Sequence, residues 1–306
     1  MIEKAQKKIL VAVDGTERSL KTVRYLTQVE PFKQMHIVLF NVFASVPTYF
    51  YDLEKEPASI KVVGQVRAWE AQQKKEMTDY MQKCRQILVE AGFADTGIET
   101  RIHKRKKGVA RDIIQEAEKG YHAVVLRRRG MAQLRGMIMG SVATKLLEKL
   151  AFIPILIAGQ NPVNPKYLLA VDGSQNALKA VEFAAATLTG QDCTFGLIHA
   201  VRGDGELGAQ LAEQTALQTR SEAPDIFGGA ISRLADGGFD RMKMTTKIAA
   251  GVYSRAGAIV EEAEKGAYGT IVVGRRGLSR VKDFFIGRVS NKVVQVGRKF
   301  TVWVVP

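Results

Sequence analysis

The stretch Ile9–Leu20, ILVAVDGTERSL, returns as Tyr167–Leu178, YLLAVDGSQNAL. Each copy opens as a short aliphatic run, breaks at an Asp-Gly turn, and enters a segment with apolar residues at helical spacing, Leu20, Val23 and Leu26 in the first copy. A strand that turns directly into an amphipathic helix opens a β-α-β unit, and its return predicts a duplicated chain. Working outward, LVEAGF at Leu88–Phe93 faces LADGGF at Leu234–Phe239, an offset of 146, and EAEKG at Glu116–Gly120 faces Glu262–Gly266 at the same offset. VVLRRRG ending at Gly130 faces IVVGRRG ending at Gly277, and the copies close on FIPILIAG from Phe152 and FTVWVVP from Phe300. Between them GQNPVNPK, Gly159–Lys166, reads as a linker. Two domains are expected, 1–160 and 161–306.

Within the first copy, strands are expected at Lys8–Val13, Met35–Phe43, Glu99–His103, Ala123–Leu126 and Pro154–Ile157. Helices fill the gaps. The first starts near Thr16 or Ser19, whose hydroxyls suit an N-cap. A long second helix carries a stripe of Trp69, Met77, Tyr80, Met81, Cys84, Ile87 and Leu88 to a stop at Gly92. A third spans roughly Ala110 to Lys119, and a fourth follows Gly140. The fold class is α/β: two repeated open α/β sandwiches with five-stranded, mostly parallel, Rossmann-like sheets, whose ligands sit beyond the carboxyl ends of the strands.

The chain has 306 residues, 46% of them apolar, and no apolar run near the 18 or so a membrane helix needs. Its two cysteines, Cys84 and Cys193, suit a reducing cytoplasm and exclude a disulfide framework or a tetrahedral zinc site. A net charge of +14 makes an acidic partner plausible. The excess sits mainly in the first part: 27 basic against 17 acidic residues, +10, over 1–160, and 18 against 14, +4, over 161–306. It concentrates in HKRKK, His103–Lys107, and in Arg127–Arg129.

Two loops in each copy carry the candidate chemistry. One is the turn at Asp14 or Asp172. The other follows the fourth strand: GRRGLSRVKDFFIGRVS in the second copy places Gly274, Gly277 and Gly287 at Gly-x2-Gly-x9-Gly spacing. Glycines at a strand-to-helix turn let backbone amides approach a phosphate, and the next helix adds its dipole. The first copy, RRRGMAQLRGMIMGSVA, keeps Gly130, Gly140 and Ser141 but has Arg127 at the first glycine. Gly203-Asp-Gly205-Glu-Leu-Gly208 matches a dinucleotide fingerprint in spacing only, since it follows a second strand and puts Asp204 and Glu206 where a pyrophosphate would lie. None of the 28 glycines precedes a lysine, which excludes a Walker P-loop. His36, His103, His122 and His199 form no metal or nucleophile pattern, so catalysis is expected to be absent or slow and incidental.

These motifs resemble the universal stress protein family, in particular its tandem type, over nearly the whole chain. The resemblance implies a fold like that of the adenine nucleotide alpha hydrolases, and a site for ATP, with or without Mg²⁺. It carries over to Asp14, Val42, Gly130, Gly140 and Ser141 in the first copy, and to Asp172, Ala200, Gly274, Gly277 and Gly287 in the second. Two positions depart from the pattern. Arg127 either blocks the first site or clamps a phosphate. Arg288 replaces the small hydroxyl residue of the second, with Ser290 two positions on. Arg128, Arg129, Arg275 and Arg276 either assist an anionic ligand or face solvent.

The leading expectation is a cytoplasmic, ATP-binding stress or regulatory protein. An ATP-independent interaction scaffold, with the motifs as relics, stands beside it, and nucleic-acid binding through Lys104–Lys107 and Arg127–Arg129 is a third reading. The resemblance also implies an intramolecular pseudo-dimer in which Pro154–Ile157 and Thr301–Val305 lie edge to edge. Pairing of whole chains is compatible with it.

Overall fold

A computed structural model of the chain describes residues 6–43, 59–128, 139–160, 164–203, 226–277 and 286–306. The first half supplies β1 (Lys8–Ala12), α1 (Glu17–Thr27), β2 (His36–Phe43), α2 (Ile60–Glu90), β3 (Ile98–Lys104), α3 (Val109–Ala117), β4 (Ala123–Arg127), α4 (Ser141–Lys149) and β5 (Ile155–Ala158). The second supplies β6 (Lys166–Ala170), α5 (Gln175–Leu188), β7 (Thr194–Arg202), α6 (Gly228–Asp236), β8 (Met244–Val252), α7 (Arg255–Lys265), β9 (Thr270–Gly274), α8 (Arg288–Val296) and β10 (Thr301–Val305).

All ten strands join one sheet in the order β3-β2-β1-β4-β5-β10-β9-β6-β7-β8. Every neighbouring pair is parallel except β5 and β10, which run antiparallel with Leu156 opposite Trp303. The expected edge-to-edge pairing of the two fifth strands is therefore present. Its cause is burial: all residues of β5 and β10 are buried, and left as free edges these apolar strands would recruit other chains.

Side chains alternate across the sheet and build two cores, each continuous from one half into the other. Ile9 and Val11 face the side covered by α1, α2, α5 and α6, while Leu10 faces α3, α4, α7 and α8. Trp303 of β10, fully buried, stacks near Phe32 and donates its indole N–H to Tyr25 Oη at 2.8 Å, so the first core crosses the seam. Burying an indole with its polar handle satisfied adds apolar area without an orphaned donor.

The stripe expected on α2 holds only in part. Met81, Cys84 and Leu88 are buried, but Trp69 is 51% exposed. The reason is length: at 31 residues α2 runs about 45 Å, roughly twice the span of the strands it crosses. Cys84 is a core thiol, and burial pushes its pKa up to about 11. Among the described residues, no helix is long and apolar enough to cross a membrane.

Candidate functional site

Both Asp-Gly turns have the same construction. Gly15 and Gly173 sit at φ +80° and +74°, a backbone region that favours glycine. Asp14 Oδ1 accepts the Thr16 N–H at 3.1 Å and Asp172 Oδ1 accepts that of Ser174 at 3.1 Å. Thr16 and Ser174 are the N-caps of α1 and α5, accepting from the N–H groups of Ser19 and Ala177 at 3.2 Å. Each turn thus fixes a carboxylate at the carboxyl end of the first strand of its half.

The glycine loops are also pinned alike. Gly287 N–H donates to Arg275 O, and Gly140 N–H to Arg128 O, both at 2.8 Å. In the second half, these elements surround a cavity of about 480 Å³, within the size range of small-ligand sites. Asp172, Ala200, Gly274, Gly277 and Gly287 all line it. Each glycine of the loop answers a close approach. A Cβ at Gly274 would lie 2.7 Å from Asn176 O, one at Gly287 would lie 3.1 Å from Arg275 O, and one at Gly277 would collide with Asp172 Oδ2. The floor is apolar, from Ile198, Ile259 and Val273, and the rim carries Arg255, Arg276 and Arg288. A flat apolar group below and an anion at the rim fit this lining.

In the first half, Asp14 and Val42 stand at the ends of β1 and β2, and Gly140 caps α4, which starts at Ser141. Gly130 lies outside the described residues, as does most of the Gly203–Gly208 stretch. Arg127 occupies the place of Gly274, and its Nη1–H donates to Arg18 O at 2.9 Å.

Three features were missed by sequence reasoning or assigned another role. Ser290 Oγ–H donates to Gly274 O at 2.6 Å, so this buried hydroxyl holds the loop rather than replacing the one absent at Arg288. His199 lines the cavity with Nδ1 at 2.8 Å from Val171 O. The repeat held that signal, because Asn41 occupies the matching position and donates to Val13 O at 2.9 Å. Arg128 and Arg275 neither face solvent nor reach the cavity; both are buried at the seam. Arg275 donates to Leu150 O at 3.0 Å, Glu148 O at 2.9 Å and Leu147 O, at the end of α4. Arg128 donates to Arg298 O at 2.9 Å and Gly297 O at 3.3 Å, at the end of α8. Lys104–Lys107 are exposed from the last residue of β3 onward, at the opposite edge of the sheet from β8, with the Lys106 and Lys107 amides donating to the buried Asp112 carboxylate at 2.8 and 3.0 Å.

Comparison with known proteins gives a consistent result. Residues 6–158 and 165–306 each match the universal stress protein family. A universal stress protein from Archaeoglobus fulgidus DSM 4304 superposes with a TM-score of 0.62 at 19% identity, covering 98% of each chain. A functionally unknown protein from Pseudomonas aeruginosa PAO1 superposes with a TM-score of 0.55 at 17% identity, covering 98% of this chain and 92% of the other. At these identities the likeness is one of fold. No curated protein matches the chain.

Proposed function

The chain belongs to the universal stress protein family, with two of its domains in tandem, and on that basis we propose that its second half binds an adenine nucleotide, ATP, as a regulatory ligand in a cytoplasmic stress response. The observation that carries this reading is the convergence of Asp172, Ala200, Gly274, Gly277 and Gly287 on one cavity. Ala200 and the apolar floor suit a purine, the loop brings backbone to the ligand without Cβ atoms, and Arg276 and Arg288 stand where phosphates would need countercharge.

The bound nucleotide is a signal rather than a substrate in this reading. Asp172 contributes a carboxylate to the cavity lining, an oxygen ligand for Mg²⁺ arriving with ATP, and its Oδ1 accepts the Ser174 N–H. The His199 imidazole is held by Val171 O. An ATP-independent scaffold is the competing reading, favoured by the arginine at 288 in place of a small hydroxyl residue. Equilibrium dialysis of the full chain against labelled ATP with Mg²⁺ separates them. Saturable binding is expected, and no retention at millimolar ATP would return the scaffold reading.

A further inference from the structure

Strand β3 runs out into a dense cluster of positive charge. Lys104, Arg105, Lys106, Lys107 and Arg111 are all exposed, and they stand at the opposite edge of the sheet from β8. The nearest lysine or arginine on either side in sequence is paired: Arg101 with Glu99 and Glu116, and Lys119 with Glu116 at 2.7 Å. None of the clustered cations meets a carboxylate among the described residues. The repeat shows that the fold does not call for them. At the offset that joins Glu116 to Glu262, the matching positions of the second half are Ala250, Gly251, Val252, Tyr253 and Gly257. There β8 still runs into α7 as β3 runs into α3, and Lys247, the counterpart of Arg101, still pairs with Glu262. Adjacent cations repel one another, so a junction that forms without them carries them at a cost that a partner of opposite charge offsets.

The main chain of the cluster is held in place. Arg105 N–H donates to Phe43 O at 2.8 Å, and the Lys106 and Lys107 amides donate to the Asp112 carboxylate at 2.8 and 3.0 Å. These bonds occupy amides that would otherwise cradle a single small phosphate, so the loop meets an anion with side chains. A row of side-chain charges on a fixed support fits a row of phosphates. Residues 104–120 contain no aromatic side chain, and the His103 ring is stacked on Phe40, centroids 5.6 Å apart. Single strands are held by bases stacked on aromatic faces, whereas a duplex presents one charge per about 1.7 Å and asks only for cations. The same stretch has no exposed large apolar residue of the kind that anchors a basic segment in a lipid surface. We propose that the Lys104–Arg111 face binds the phosphate backbone of a double-stranded nucleic acid without reading its sequence. Of the two basic runs in the first half only this one serves, because Arg127 and Arg128 are tied to main-chain carbonyls.

Fluorescence anisotropy of the full chain with short labelled DNA and RNA duplexes of mixed sequence tests this. Affinity is expected to fall by about two orders of magnitude between about 50 and 200 mM salt, as four or five phosphate contacts require, and the tighter duplex names the source of the phosphates. Lys104→Gln, Arg105→Gln, Lys106→Gln and Lys107→Gln together are expected to abolish binding at the higher salt and to reduce the salt slope by about four. Arg111→Gln alone is expected to reduce it by about one, and serves if the multiple variant folds poorly. Lys179→Gln, Arg241→Gln, Lys292→Gln and Arg298→Gln together remove as much charge from exposed positions of the second half, and are expected to keep the wild-type affinity. No binding by the wild type at low salt would overturn the proposal. Equal loss in the two multiple variants would also overturn it, by assigning binding to diffuse net charge. Tighter binding to single strands of equal length, to vesicles containing phosphatidylserine or to polyglutamate would overturn it in favour of that partner.

Discussion

At the residue scale, the second half's site turns on contacts too short for a side chain. Gly277 has room for hydrogen alone, because Asp172 Oδ2 stands where a Cβ would be. Arg276, exposed beside it, points to a separable contribution. Arg276→Ala is expected to weaken ATP binding about tenfold, the loss of one charge-assisted contact of about 1.4 kcal/mol, while leaving adenosine binding nearly unchanged. Parallel titrations with ATP and adenosine check this, and an equal loss for both would place the arginine away from the phosphates. These cavity-lining residues were legible because the Asp-Gly turn is stated twice and the spacing Gly-x2-Gly-x9-Gly of the second copy is specific. His199 was less legible, since a lone histidine carries no signal until it is set against Asn41.

At the scale of elements, Arg128 and Arg275 tie the halves together by reciprocal means. Each leaves the glycine loop of its own half and donates to carbonyls at the carboxyl end of the other half's last helix, α4 or α8. Those carbonyls lack partners within their helices and carry the negative end of its dipole, so a cation there satisfies both needs. Arg275→Met keeps the stem and removes the donors. It is expected to cost about 3 kcal/mol by urea unfolding, because the helix end is left buried and unpaired. A change under about 0.5 kcal/mol, the size typical of surface substitutions, would mean that the clamp is not structural. No charge count distinguishes Arg275 from its neighbour Arg276. Burial at a seam depends on how two distant segments meet, which periodicity within one segment does not encode. The same limit explains Trp69, which has the spacing of the buried stripe but lies on a stretch of α2 that overshoots the sheet.

For the whole molecule, the seam between halves holds a titratable group. The His122 ring packs tilted against Phe183, centroids 4.9 Å apart, and its Nε2 lies 2.9 Å from Thr187 Oγ1, both from the other half. Burial, and then Lys7, pushes its pKa down to about 4. The native state therefore holds it neutral, while the unfolded chain takes up a proton below about pH 6.5, the ordinary histidine value. Stability from this group is complete above about 6.5 and declines as pH falls toward 4. Unfolding at pH 7.5 and 5.0 should show wild type losing more stability than His122→Gln, and equal losses would remove the seam histidine from the account. The architecture itself was the most legible level. The ten strands follow from a repeat and from alternating periods, and the pairing of β5 with β10 is the one that the family resemblance implied.

The central claim is that the second half's glycine loop and Asp172 form one nucleotide site. Isothermal titration of Mg-ATP into wild type and into Gly277→Val, with thermal melts confirming that both are folded, tests it most directly. Saturable binding by the wild type and at least a hundredfold weaker binding by the variant is the result this account requires. Equal affinity in the two proteins would place the nucleotide elsewhere and contradict it.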